Sequence, residues 1–130
     1  MSNVEELEKI CQKINKLDPL MRSARIINSR GHQDAGGMKE GIHSLEAQKQ
    51  DEMMFMELAL RVRMRHEFDK EFGVVHFSMS YRDKVIVMSF PLTNDDVLLV
   101  SCEKETDFGK ISFKILKIIE PLKKTPAKMF

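Results

Sequence analysis

"KVIVMSFPLTNDDVLLVSCE", residues 84–103, holds two runs rich in valine, isoleucine and leucine on either side of a polar corner. Residues 84–92 and 97–103 read as strands, because β-branched side chains suit a pleated surface. "TNDD" between them supplies turn residues. Neither run alternates cleanly between apolar and polar, as a half-solvated strand would. Continuous apolar character marks central strands covered on both faces. Pro91 falls near a strand end, where its missing donor does little harm. Just upstream, "VVHFSMSY" (74–81) sets Val75, Phe77, Met79 and Tyr81 against Val74, His76, Ser78 and Ser80. Arg82-Asp83 joins this strand to the next as a short hairpin.

The segment 45–72 has no glycine or proline and meets Gly73, a good helix stop. It carries two apolar faces at helical spacing. Met53, Met56, Leu60, Met64 and Phe68 line one along the helix's full length, and this is the expected core face. Met54, Phe55, Leu58, Ala59 and Val62 line the other, over the middle turns. A helix that is apolar nearly all round is buried on both sides. The expected cover for the second face is another copy of the chain, with Arg61 and Arg65 at its rim. On that view Leu58→Asp splits a dimer and spares the protomer's own core.

Toward the N-terminus, Ser2 and Glu5 have capping-box spacing, and Val4 to Leu17 repeat helically, so a first helix spans 3–17. Asp18-Pro19 ends it. "ARIINSRGHQDAGG" (24–37) reads as a strand at 22–29, a turn at Arg30-Gly31 and a short returning strand. Ala24 and Ile26 face one way, Arg25 and Ile27 the other. Gly36, Gly37 and Gly41 are expected to make a loop up to Ser44. At the other end, Thr106 or Asp107 caps a last helix with an apolar stripe of Phe108, Ile111, Ile115, Ile118 and Leu122. Pro121 opens a basic, frayed tail, so one domain is expected at 1–120 and a tail at 121–130.

The chain's 130 residues are enough for one core without disulfide staples. A net charge of +1 provides no global basic field for nucleic acid. No apolar run reaches the ~18 residues of a membrane span, and "MSNVEELEKICQK" lacks the pattern of a signal peptide. A cytoplasmic protein is expected, with Cys11 and Cys102 as buried, reduced thiols.

"GHQDAGGMKEGIH" brings His32, Asp34 and His43 near Gly36 and Gly37. As a metal site it lacks a fourth ligand at a recognisable spacing. As a phosphate cradle it lacks the Gly-Lys-Ser/Thr ending, and the glycines do not fit a dinucleotide fingerprint. A hairpin corner with a ligand-contacting loop as the alternative is the reading of this stretch. No cofactor and no metal is expected. Nor does any nucleophile, base and orienting group share a supporting spacing, so no catalytic residue is named. Lys110, Lys114, Lys117, Lys123, Lys124 and Lys128 make the C-terminal region basic, chiefly as a solvated face.

The order α-β-β-α-β-β-β-α, with "ARIINSRGHQDAGG", "KVIVMSFPLTNDDVLLVSCE" and "DFGKISFKILKIIE", resembles the roadblock (dynein light-chain) family over residues 3–120. Archaeal proteins with the same pattern look similar too. The loop 36–44 is longer than a typical member's, and the helix at 53–64 is richer in methionine. The resemblance implies an α+β fold: a five-stranded antiparallel sheet with the long helix on one face and the terminal helices on the other. It further implies dimers in which the third strand and middle helix of each copy meet. On this chain that interface would be Met54, Phe55, Leu58, Ala59, Arg61, Val62, Arg65, Val75, Phe77 and Met79. Function by resemblance is non-enzymatic: an adaptor or regulator of a small Ras-like GTPase. Two alternatives stand beside it, a ligand sensor using the loop 36–44 and a nucleic-acid accessory protein using the lysine face.

Overall fold

The computed structural model describes residues 4–123. Helix α1 (Val4–Asn15) leads into β1 (Met21–Ile27) and β2 (Gln33–Met38). The long helix α2 (Gln48–Arg65) continues through a 3-10 turn (His66–Phe68) into a one-turn helix α3 (Asp69–Phe72). Then come β3 (Ser78–Tyr81), β4 (Val85–Pro91), a 3-10 turn (Thr93–Asp95), β5 (Val97–Glu103) and α4 (Phe108–Lys123). The five strands form one antiparallel sheet in the order β2-β1-β5-β4-β3. This is the α+β architecture expected.

Strand periodicity divides the core in two. Ala24 and Ile26 of β1 join Ile86, Met88, Phe90, Leu98, Val100 and Cys102 under α1 and α4. On the opposite face Ile27, Val97 and Leu99 meet Phe55, Leu58 and Val62 of α2, with Val87 and Met54 partly buried beside them. The central strand β5 is thus covered on both sides, which explains its unbroken apolar run. Both cysteines are free and buried, and burial first, then Glu8, pushes the Cys11 thiol up to about 12.

Several boundaries differ from the sequence expectation. Gly36 and Gly37 lie inside β2, not in a loop. Gly36 has φ +91, and a Cβ there would run into the Ala24 carbonyl oxygen and come within 2.9 Å of Cys11 Sγ. Its N–H donates to Glu8 Oε1 at 3.2 Å. The residue is glycine because helix α1 sits directly on the strand. Strand β3 begins only at Ser78, and α4 carries Pro121 inside its last turn. The proposed domain limit at 120 therefore cuts a helix; the remaining tail, 124–130, and the Ser2 cap lie outside the described residues.

Gly36→Ala is expected to cost more than about 2 kcal/mol, since strain and overlap act together. Gly41→Ala, also at positive φ (+82) but in open space, should cost only about 1 kcal/mol. Urea unfolding of the two variants makes the comparison.

Candidate functional site

Helix α2 presents the faces opposite to those expected. Phe55, Leu58, Ala59 and Val62 are all buried against the sheet. Met53, Met56, Leu60, Met64 and Phe68 are exposed, at 51–71%. Phe55, Leu58 and Val62 of the buried arc meet Ile27, Val97 and Leu99 of β1 and β5. Glu57 supplies the cue, because on the helical wheel it falls between Met64 and Phe68. Leu58→Asp would therefore place a charge in the protomer's own core.

The remaining interface residues are distributed over both faces. Phe77 packs against Phe90 and edge-on against Phe113 of α4, with ring centroids 5.7 and 5.9 Å apart. Met79 pairs with Met88 in the register, so its side chain stands on the terminal-helix face as well. Val75 precedes β3. On the α2 face, β3 offers only Ser78 and Ser80. What the structure does bring together is a groove of about 630 Å³ between α2 and the outer strands. Met54, Glu57, Leu58, Arg61 and Arg65 form its wall, and Val85 and Val87 lie in its floor. Arg61 Nη2 is tied to Glu57 Oε1 at 2.7 Å, whereas Arg65 Nη1 is buried without a hydrogen-bond partner.

Under the N-terminal half of α2 lies a charged cluster that sequence reasoning missed. The buried Arg25 guanidinium reaches Asp51 at 3.4 Å and Glu46 at 3.8 Å and stands over the Phe55 ring at 5.4 Å. Burial and then the hydrogen bond with Glu46 push the Asp51 carboxyl up to about 6. The same hydrogen bond holds Glu46 below the usual carboxylate range. As pH falls, Asp51 takes up a proton before Glu46 does. An arginine sharing the face of Ile27 in β1, with acids at 46 and 51, was the available signal.

The loop residues do not converge. Asn28 Nδ2 donates to Asp34 Oδ1 at 2.9 Å, and Asn28 Oδ1 accepts from the Arg30 and His32 backbone, closing the hairpin. His43 is exposed, and its carbonyl accepts from Arg22 Nη2. Gly36 and Gly37 are strand residues, so His32, Asp34 and His43 surround no common cavity in this structure. Among the described residues no three His, Cys, Asp or Glu side chains could hold a metal together, and no helix is long and apolar enough to cross a membrane. Lys110, Lys114 and Lys117 are exposed on α4, as expected; Lys124 and Lys128 lie outside the described residues.

A family model described as "Family of unknown function (DUF6659)" matches residues 1–130. The chain belongs to that family. No curated protein matches it. Solved structures place the DUF6659 chain in the roadblock/LC7 fold. A Roadblock/LC7 domain from Streptomyces avermitilis is similar at 14% identity and TM-score 0.64, covering 88% of this chain and 94% of that one. The gliding protein MglB from Thermus thermophilus is similar at 8% identity and TM-score 0.73, covering 95% and 93%. Myxococcus xanthus MglB is similar at 15% identity and TM-score 0.63, covering 93% and 100%.

At the C-terminal end of α2 the His66 ring bridges two carboxylates, Asp69 Oδ2 at 2.8 Å and Asp95 Oδ1 at 2.9 Å. These bonds, Asp69's first, raise its pKa above the ordinary histidine value. The bridge ties α2 to the β4–β5 corner, where Asn94 and Asp95 both hold positive φ. The folded protein binds this proton more tightly than the unfolded chain, so the bridge contributes fully below the ordinary pKa. Its contribution fades as pH rises through the raised value. Urea midpoints at about pH 6 and pH 9 should show this loss in the parent and a smaller one in His66→Gln.

Proposed function

We propose that this chain is a non-enzymatic adaptor or regulator that acts as a homodimer and binds another protein, a small Ras-like GTPase. The observation that carries the reading is the half-covered sheet face. Helix α2 lies over β1 and β5 and leaves the β4–β3 half beside it as an open groove. β3 is also an edge strand, and its free backbone edge is a template for pairing with a second copy. Two chains joined at β3 would lay each α2 beside its twin, which is what the roadblock resemblance implies. The contact then uses Met54, Arg61 and Arg65 from the groove wall, in place of the residues now found in the core.

The same geometry leaves the outer stripe of α2 for the partner. Met53, Met56, Leu60 and Met64 stay exposed, and the Phe68 ring stacks on Phe72 at 5.9 Å beyond them. Monomers rarely tolerate so long an apolar strip in water, and methionine adapts to uneven contacts.

Light scattering at about 100 μM should give twice the 15.1 kDa chain mass, and Met54→Glu should halve it without loss of helical signal. Leu60→Glu should keep the dimer mass but lose capture of nucleotide-loaded GTPases from the source proteome. A single-chain mass for the parent removes the dimer. Failure to retain any GTPase, in either nucleotide state, removes the partner class.

A further inference from the structure

Beyond the protein-binding surfaces, a cavity of about 390 Å³ opens at the C-terminal end of α2. It lies at the corner where that helix meets the segment before β3, the end of β4 and the last turn of α4. Val62, Val74, Val75 and Leu92 give it an apolar side, and the bridged His66 and Asp69 with Thr93 and Asn94 a polar one. Arg65 and Lys123 are the standing cations among its walls. This size falls within the range of small-molecule sites, which pair apolar walls with a few placed polar groups.

Arg65 gives the cavity its chemistry. Its Nη1 is buried without a hydrogen-bond partner, and no carboxylate lies within ion-pair distance of its guanidinium. The contrast is Arg25 on the same face of the sheet, which holds two carboxylates. Arg61, one turn earlier, adds a like charge, and with burial it lowers the Arg65 pKa. The nearby acids are not free to help: Asp69 and Asp95 are both engaged by His66. Lys123 Nζ meets His76 Nδ1 at 3.3 Å. The Arg65 side chain as a whole is half-buried and borders the cavity, so an anion supplied from outside can meet its guanidinium.

We propose that this cavity binds a small monocarboxylate carried on an apolar body, with the Arg65 guanidinium as its anchor. The carboxylate matches the planar fork of the arginine. The valines and Leu92 take the aliphatic part. A phosphate fits less well, because a second negative charge would stand near Asp69 and Asp95 with one arginine and one lysine to offset it. The site shares Arg65 with the groove wall but lies apart from the outer stripe. The hexanoate response is therefore read together with the light-scattering mass of the same sample, which keeps loss of the dimer distinct from loss of the site.

Thermal unfolding of the full chain with hexanoate, hexanamide or inorganic phosphate, each up to about 10 mM, tests the assignment. Hexanoate alone should raise Tm by roughly 3 °C, with a rise that follows the logarithm of concentration. Arg65→Met should abolish that rise and, by removing an unpartnered charge, lift the Tm of the ligand-free chain. Val75→Phe keeps the arginine but fills the cavity, and it too should abolish the rise. No rise with hexanoate in the parent overturns the proposal, as does an equal rise with hexanamide or phosphate. A rise that persists in either variant overturns it as well.

Discussion

One helix cannot cover five strands, and much of this molecule follows from that limit. Strands about 4.8 Å apart make a five-stranded sheet roughly 19 Å across between its outer strands, whereas a helix with its side chains is about 10 Å wide. On one face two helices, α1 and α4, share the work and close the larger core. On the other, α2 alone must serve. It sits over β1 and β5, where Ile27, Val97 and Leu99 give it an apolar bed. The β4–β3 half is left with Val85 and Val87 and the two serines of β3. The uncovered half-face is therefore a consequence of the element count, not of a local defect in packing.

The strands were legible in the sequence because the sheet imposes a period of two and a burial rule on every residue. Val97–Glu103 matched its expected range, and the opposed faces of Ala24/Ile26 and Arg25/Ile27 were assigned as the structure has them. The faces of α2 were not legible in the same way. Both arcs are apolar, and hydrophobicity alone cannot say which one a sheet will take. What distinguishes them is the position of one charge, Glu57, among the methionines. Gly36 and Gly37 were misplaced for a related reason. Glycine usually punctuates a chain, but here it clears a path for α1 across β2, a tertiary demand invisible to local propensity. Arg25 was placed on the face of Ile27, but its charged partners at 46 and 51 lie across the connection from β2 to α2, which no local pattern brings back to it.

The two arginines of the α2 layer show how the protein treats charge near its core. Arg25 is enclosed by acids, an aromatic face and the Met38 sulfur, from which it draws a contact of 3.3 Å. Removing any single member of such a cluster leaves another uncompensated, so the cluster binds the start of α2 to β1 and β2. Arg65 lies at the far end of the same helix with nothing comparable. Arg25 has two carboxylates within reach although its Nε stays buried without a hydrogen-bond partner. The corner near Arg65 is not short of acids either: it holds Asp69, Asp95 and Asp96. His66 takes the first two, and Asp96 sits where burial, Asp34 and Asp95 together raise its pKa. The acids near Arg65 are thus committed to holding the corner together.

This division gives α2 four separable surfaces. Its buried arc builds the protomer, its groove flank faces the open half-sheet, its methionine stripe faces water, and its last turn borders the cavity. The arcs point in different directions, and Arg65 is where the groove flank and the cavity meet. Glu57 and Arg61, paired at 2.7 Å, mark the border between flank and stripe. Being exposed, that pair adds little to stability, so its worth lies in keeping the border polar. Without it the flank and the stripe would merge into one continuous apolar surface, and a second copy of the chain could dock on either. A polar seam between two apolar arcs restricts which of them meets which partner, and that kind of restriction is what an adaptor requires of a single helix.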